Sequence, residues 1–223
     1  MPQSQIPNEK SLDIDLKLYI DEDLSTEEYP SSSDEDSGEE YHIQFYYESL
    51  SVKSWLVYTF FIGPLAAIQD SRITIETFPY GIAKTYRKGQ GYKFKCEHGP
   101  EECYGNKLHA CVLHLLQNKT EAILFNLCLM NKQSNNAAVD ECAQERYGLA
   151  GSIKECAKSR LGSRLLKHYG DESEKVDYEQ VPYILVNGES SYVKMAQTNR
   201  YINNIKKKLL NLRRITEAVA PKN

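Results

Sequence analysis

Six cysteines, Cys96, Cys103, Cys111, Cys128, Cys142 and Cys156, fall within 61 residues of this 223-residue chain. Sulfur at that density can form structural disulfides, cycle as a redox dithiol or hold a metal. An even number in one segment suits disulfides made in an oxidising compartment, with many pairings open. Zinc is the rival reading, because Cys96, His98, Cys103, His109, Cys111 and His114 lie within 19 residues. The spacing is irregular, however, and no C-x-x-C pair is present, so no metal and no cofactor is expected. His109 and His114 fall five apart on an expected helix, and so on different faces. The sequon Asn118-Lys119-Thr120 offers a glycosylation site that agrees with the secretory route.

The run Cys96-Glu-His98-Gly99-Pro-Glu-Glu102-Cys103-Tyr-Gly-Asn106 resembles the signature C-Q-H-G-x-x-E-C-x-x-N of the gamma-interferon-inducible lysosomal thiol reductase (GILT) family. In that family a strand ending Y-Y-E-x-L runs into the redox motif C-x-x-C, or C-x-x-S in some insect members. Here Tyr46-Tyr47-Glu48-Ser49-Leu50 runs into Ser51-Val52-Lys53-Ser54. Such reductases act through a thiolate whose pKa is lowered at a helix N-terminus, and a second cysteine resolves the mixed disulfide. A serine hydroxyl is far less acidic, and a helix dipole worth about 1–2 kcal/mol does not close that gap. No histidine stands near these serines in the sequence to build a hydrolase triad. Ser51 and Ser54 therefore mark a degenerate site, with helix capping as their expected role.

The resemblance implies that Cys96 and Cys103 form structural disulfides, with a displaced redox pair as the alternative. It implies a thioredoxin-like α/β fold with a DsbA-style helical insertion stapled by disulfides, and a cis Pro182 facing the redox motif. It places the chain nearest the insect branch, with salivary proteins of blood-feeding insects as the members to consider first and host or pathogen surfaces as partners. The function expected is a secreted GILT-like protein without thiol reductase activity that binds protein, peptide, cell-surface or sulfated-glycan partners. The alternative is a true reductase of the endosomal–lysosomal lumen inactivated by Cys-to-Ser replacement. Val52-Lys53 also departs from the family's usual Pro-Asp-like pair, which favours natural loss.

The elements that must position these residues can be read from periodicity. His42 to Tyr47 alternates and reads as a strand. Ser51 to Asp70 reads as a buried helix with a Ser-rich start, and Arg72 to Phe78 as a second strand, completing a βαβ unit with parallel strands. Helical windows at 108–113, 121–130, 138–147 and 152–166, with a turn at Gly148 and Gly151, make residues 84–170 a helical insertion. Pro182 then leads an apolar strand closed by Asn187-Gly188. A last helix near 195–219 carries an apolar stripe, with Lys206, Lys207, Lys208, Arg213 and Arg214 as a basic patch off it.

Charge divides the chain. Residues 1–40 hold 13 acidic and two basic residues, and 41–223 hold 18 acidic and 25 basic. The first 40 read as a disordered acidic arm and the rest as one domain. Met1-Pro2-Gln3-Ser4 has no apolar run, so a leader is expected to have been removed. No apolar run reaches the roughly 18 residues a membrane span needs. No nucleic-acid-binding pattern is present.

Overall fold

The computed structural model describes residues 40–144 and 148–190. The acidic arm (residues 1–39), the last helix and the patch Lys206, Lys207, Lys208, Arg213 and Arg214 lie outside the described residues.

Strand β1 (Tyr41–Tyr47) is central in a three-stranded sheet ordered β2-β1-β5. Its neighbours are β2 (Ile73–Pro79), parallel, with Tyr41 opposite Ile73, and β5 (Tyr183–Val186), antiparallel, with Tyr46 opposite Tyr183. A central strand is covered on both faces, which explains why it is aromatic almost throughout. Ile43, Phe45 and Tyr47 pack on one face against Tyr58, Ile62 and Leu65. Tyr46 packs on the other, stacked on Phe78 at 4.4 Å between ring centres.

The β1–β2 crossover is helical but not uniform. α1 (Val52–Val57) passes through a π-helical turn, Tyr58–Ile62, into α2 (Gly63–Ile68). Pro64 has no N–H for the Phe60 carbonyl, and its ring crowds that carbonyl. Widening the preceding turn accommodates both, and Gly63 N accordingly bonds back to Tyr58 O.

Residues 84–95 correct the helical reading of the insertion. They form an antiparallel hairpin of β3 (Lys84–Lys88) and β4 (Gly91–Lys95). Helices begin at α3 (Pro100–Leu115) and continue as α4 (Lys119–Asn131), α5 (Asn136–Cys142), α6 (Leu149–Lys158) and α7 (Arg160–Ser173). Gly148 does sit in a turn, whereas Gly151 lies inside α6. The window at 152–166 is two helices. Ser159 ends one and starts the next, its hydroxyl donating to Cys156 O and accepting from Leu161 N.

These helices bury a second core of Leu108, Val112, Phe125, Leu129, Val139 and Ile153. Cys111–Cys156 and Cys128–Cys142 cross it, and Cys96–Cys103 ties the end of β4 to α3. No helix of the described residues is long and apolar enough to cross a membrane.

Candidate functional site

Ser51 lies between β1 and α1. Its backbone is extended and caps α1, and its Oγ accepts from Ser54 N at 3.3 Å. Ser54 is fully buried, and its Oγ accepts from Glu48 N at 3.5 Å. The Ser51 hydroxyl therefore caps α1, and the Ser54 hydroxyl ties the helix back to the chain that leaves β1. Among the described residues no histidine hydrogen-bonds to either.

The Val181–Pro182 peptide is cis, as the family resemblance implies. Since Tyr46 pairs with Tyr183, one step of register sets Pro182 beside Tyr47. Pro182 and the Ser51 turn thus share one end of the sheet. Two cavities, of about 280 and 340 Å³, are lined by other residues, near Ile73 and near Glu76 with Tyr169 respectively.

The Cys96–Asn106 run supplies the walls of this end. Gly99 has φ 91 and ψ −170, a conformation open to glycine alone, and turns the chain into Pro100 at the first position of α3. Asn106 is fully buried and accepts from Ser49 N at 2.8 Å, while Ser49 Oγ donates to Glu102 O at 3.3 Å. A Cβ on Gly105 would lie 2.4 Å from Ser49 Oγ, so only glycine lets α3 come this close. The run therefore grips the two residues that feed the serine turn.

Further grip comes from His109 and from Ser134, which the sequence did not single out. Ser134 Oγ donates to Ser49 O at 3.3 Å and so accepts from His109 Nε2–H at 2.9 Å. That fixes the tautomer, leaving His109 Nδ1 to accept from Tyr47 OH at 2.8 Å. His109 is fully buried, and burial pushes its pKa down to about 3, so the ring is neutral. His114, by contrast, is exposed.

Glu48 is also fully buried. Its Oε1 accepts from Ile82 N at 3.0 Å, and its Oε2 accepts no hydrogen bond. Burial first, then the nearby Glu102 carboxylate, raise its pKa to about 7. His98 N donates to Glu102 Oε1 at 3.0 Å, and His98 Nδ1 lies 2.6 Å from Glu102 Oε2. All six cysteines are in disulfides, so Cys96, Cys103 and Cys111 are not available to a zinc ion.

A family description, gamma interferon inducible lysosomal thiol reductase (GILT), matches residues 42–146. GILT-like protein 2 of Drosophila melanogaster is 30% identical over 144 residues, which cover 64% of this chain and 67% of that protein. The chain belongs to the GILT family. A gamma-interferon-inducible lysosomal thiol reductase-like protein of Anopheles gambiae is 32% identical over 147 residues, and GILT-like protein 1 of D. melanogaster is 32% identical over 162. The matches span 61% and 65% of those two relatives' lengths. Reduced DsbA1 of Neisseria meningitidis aligns over 81% of this chain and 91% of its own, with a TM-score of 0.44 and 11% identity. The thioredoxin-like character of this GILT member is carried instead by its own topology: parallel β1 and β2 joined by a helix, and an antiparallel β5 led by a cis-proline.

Proposed function

We propose that this GILT-family chain has lost thiol reduction and acts by binding. One observation carries the reading. Ser51 and Ser54 hold hydroxyls that accept backbone N–H bonds, and every cysteine is in a disulfide, so no thiol is left to attack a substrate. Three disulfides and the sequon support an extracellular or endosomal–lysosomal setting. At Asn118 the α4 cap uses Oδ1, accepting from Glu121 N, and does not need Nδ2, the atom a glycan would take. Salivary origin has its support only in the likeness to insect proteins.

The β3–β4 hairpin supports an anionic partner. Lys84, Tyr86, Lys88, Lys93 and Lys95 share its outer face, with Lys84 directly opposite Lys95. Like charges so placed cost stability. Residues 84–95 contain no acidic residue, and none of these lysines forms an ion pair with a described residue. On the inner face, Phe94 packs toward Tyr80 and Leu166 with Lys107 Nζ 5.2 Å above its ring. An outward cationic face fits sulfated glycan or an acidic protein surface. The turn between Ser51 and Pro182 adds a place for an extended peptide.

The deciding assay is reduction of insulin disulfides by the chain and by its Ser51→Cys/Ser54→Cys variant. The expected result is no turnover by the former and measurable turnover by the latter. Family-like turnover by the unaltered chain overturns the proposal.

A further inference from the structure

Two buried carboxylates converge on one imidazole nitrogen. Glu48 lies just past β1, His98 just past β4, and Glu102 in the first turn of α3. Each carboxylate anchors Oε1 on a backbone N–H, Glu48 on Ile82 and Glu102 on His98, both at 3.0 Å. Each then turns Oε2 toward His98 Nδ1, at 3.8 Å from Glu48 and 2.6 Å from Glu102. Glu97 lies beside them, with a carboxylate oxygen within 4.8 Å of a Glu48 oxygen and of a His98 ring nitrogen. Glu48 Oε2 accepts no hydrogen bond although its side chain is wholly buried. Burial of an ionised oxygen without a donor is costly unless a cation completes it.

We propose that Glu48, Glu97 and His98 form a divalent metal site, with Glu102 orienting the imidazole through its hydrogen bond to His98. The ligand chemistry, one imidazole with carboxylates, suits Zn²⁺ and is poorly suited to Ca²⁺, which takes oxygen ligands throughout. The bonds from Ile82 N and His98 N hold the inner carboxylates in place, as outer contacts do in established sites. His98 is 44% exposed on its side chain and Glu97 is exposed, so an ion enters from solvent. Any proton on the ligating imidazole nitrogen or on a ligating carboxylate leaves to solvent as the metal arrives. The bound ion would join the chain just past β1 to that just past β4, locking the Glu48–Ser49 segment that feeds the serine turn. Of the cysteine–histidine set weighed for zinc in the sequence, only His98 takes part. The site is independent of whether the serines are redox-silent.

The test is calorimetric titration of chelator-treated full chain with Zn²⁺, together with its thermal midpoint. One equivalent is expected, with proton release and a rise in Tm. Glu97→Gln, at an exposed position that leaves the fold intact, is expected to weaken binding about tenfold or more, and His98→Ala to abolish the Tm shift. His114→Ala, at an exposed position outside the site, is the control and is expected to bind as the unaltered chain does. No saturable binding, or stoichiometric binding that survives both Glu97→Gln and His98→Ala, overturns the proposal. So does a Tm that responds to pH but not to Zn²⁺, which would make the cluster a proton-held pair.

Discussion

At the scale of single residues, the serine turn is held by bonds that reach far along the chain. Asn106 Oδ1 satisfies Ser49 N in a site closed to water, so truncation leaves a buried donor unmade. Asn106→Ala is expected to cost about 1–3 kcal/mol, read as a shift in urea midpoint. His109 gives a pH signature. Its pKa falls from about 6.5 in the unfolded chain to about 3 in the fold. Between those values the unfolded chain binds the extra proton, so this contribution is complete above pH 6.5 and is lost as pH falls toward 3. From pH 6.5 to pH 5 the loss is about 2 kcal/mol. His109→Gln has no such proton to gain. The difference in unfolding free energy between the two proteins cancels the other titrating groups. It is expected to shift in the variant's favour by that amount on acidification, and a flat difference contradicts a neutral buried ring.

At the scale of elements, the disulfides rank by the loops they close. Cys111–Cys156 spans 45 residues and Cys96–Cys103 spans seven. Chain-entropy arguments give about 4 kcal/mol for the first and about 2 kcal/mol for the second. Replacing each pair by alanine and comparing denaturant midpoints is expected to reproduce that order. The elements also show what the sequence revealed. β1 was legible because Ile43, Phe45 and Tyr47 face one core, and the start of α1 because Ser51 has a capping residue's chemistry. The β3–β4 hairpin was hidden. Its alternation is of lysine and tyrosine rather than apolar and polar residues, and its inner face rests on Phe94 and a hydrogen bond between Thr85 and Tyr80. The split at Ser159 was hidden too, since helical periodicity runs through it, and the break shows only in that residue's extended backbone and its hydroxyl's bonds. At the site, Ser51, Ser54, Pro182 and the Cys96–Asn106 run were singled out through the family resemblance. Glu48's orphaned oxygen and the His109–Ser134–Ser49 relay were not, because those partners are brought together only by packing α3 and α4 against the end of β1.

At the scale of the whole molecule, charge is divided so that removing one part changes the sign of the rest. Residues 1–40 carry 13 acidic and two basic residues; residues 41–223 carry 18 acidic and 25 basic. The full chain is formally −4, so the body without those 40 residues is positive. Net charge governs how strongly a protein is drawn to a polyanion at long range, whereas a local patch governs what it holds on contact. These effects separate by salt, because charges farther apart than the screening length, about 8 Å at physiological ionic strength, cease to matter. On immobilised sulfated glycan, deletion of residues 1–40 is expected to raise the eluting salt concentration, and Lys88→Glu/Lys93→Glu to lower it. The deletion's gain is expected to shrink as salt rises, since it comes from net charge rather than from a contact. The hairpin's loss is expected to persist, since Lys88 and Lys93 would touch the ligand. Equal elution of the hairpin variant and the unaltered chain across the whole salt range would remove the β3–β4 face from the binding surface.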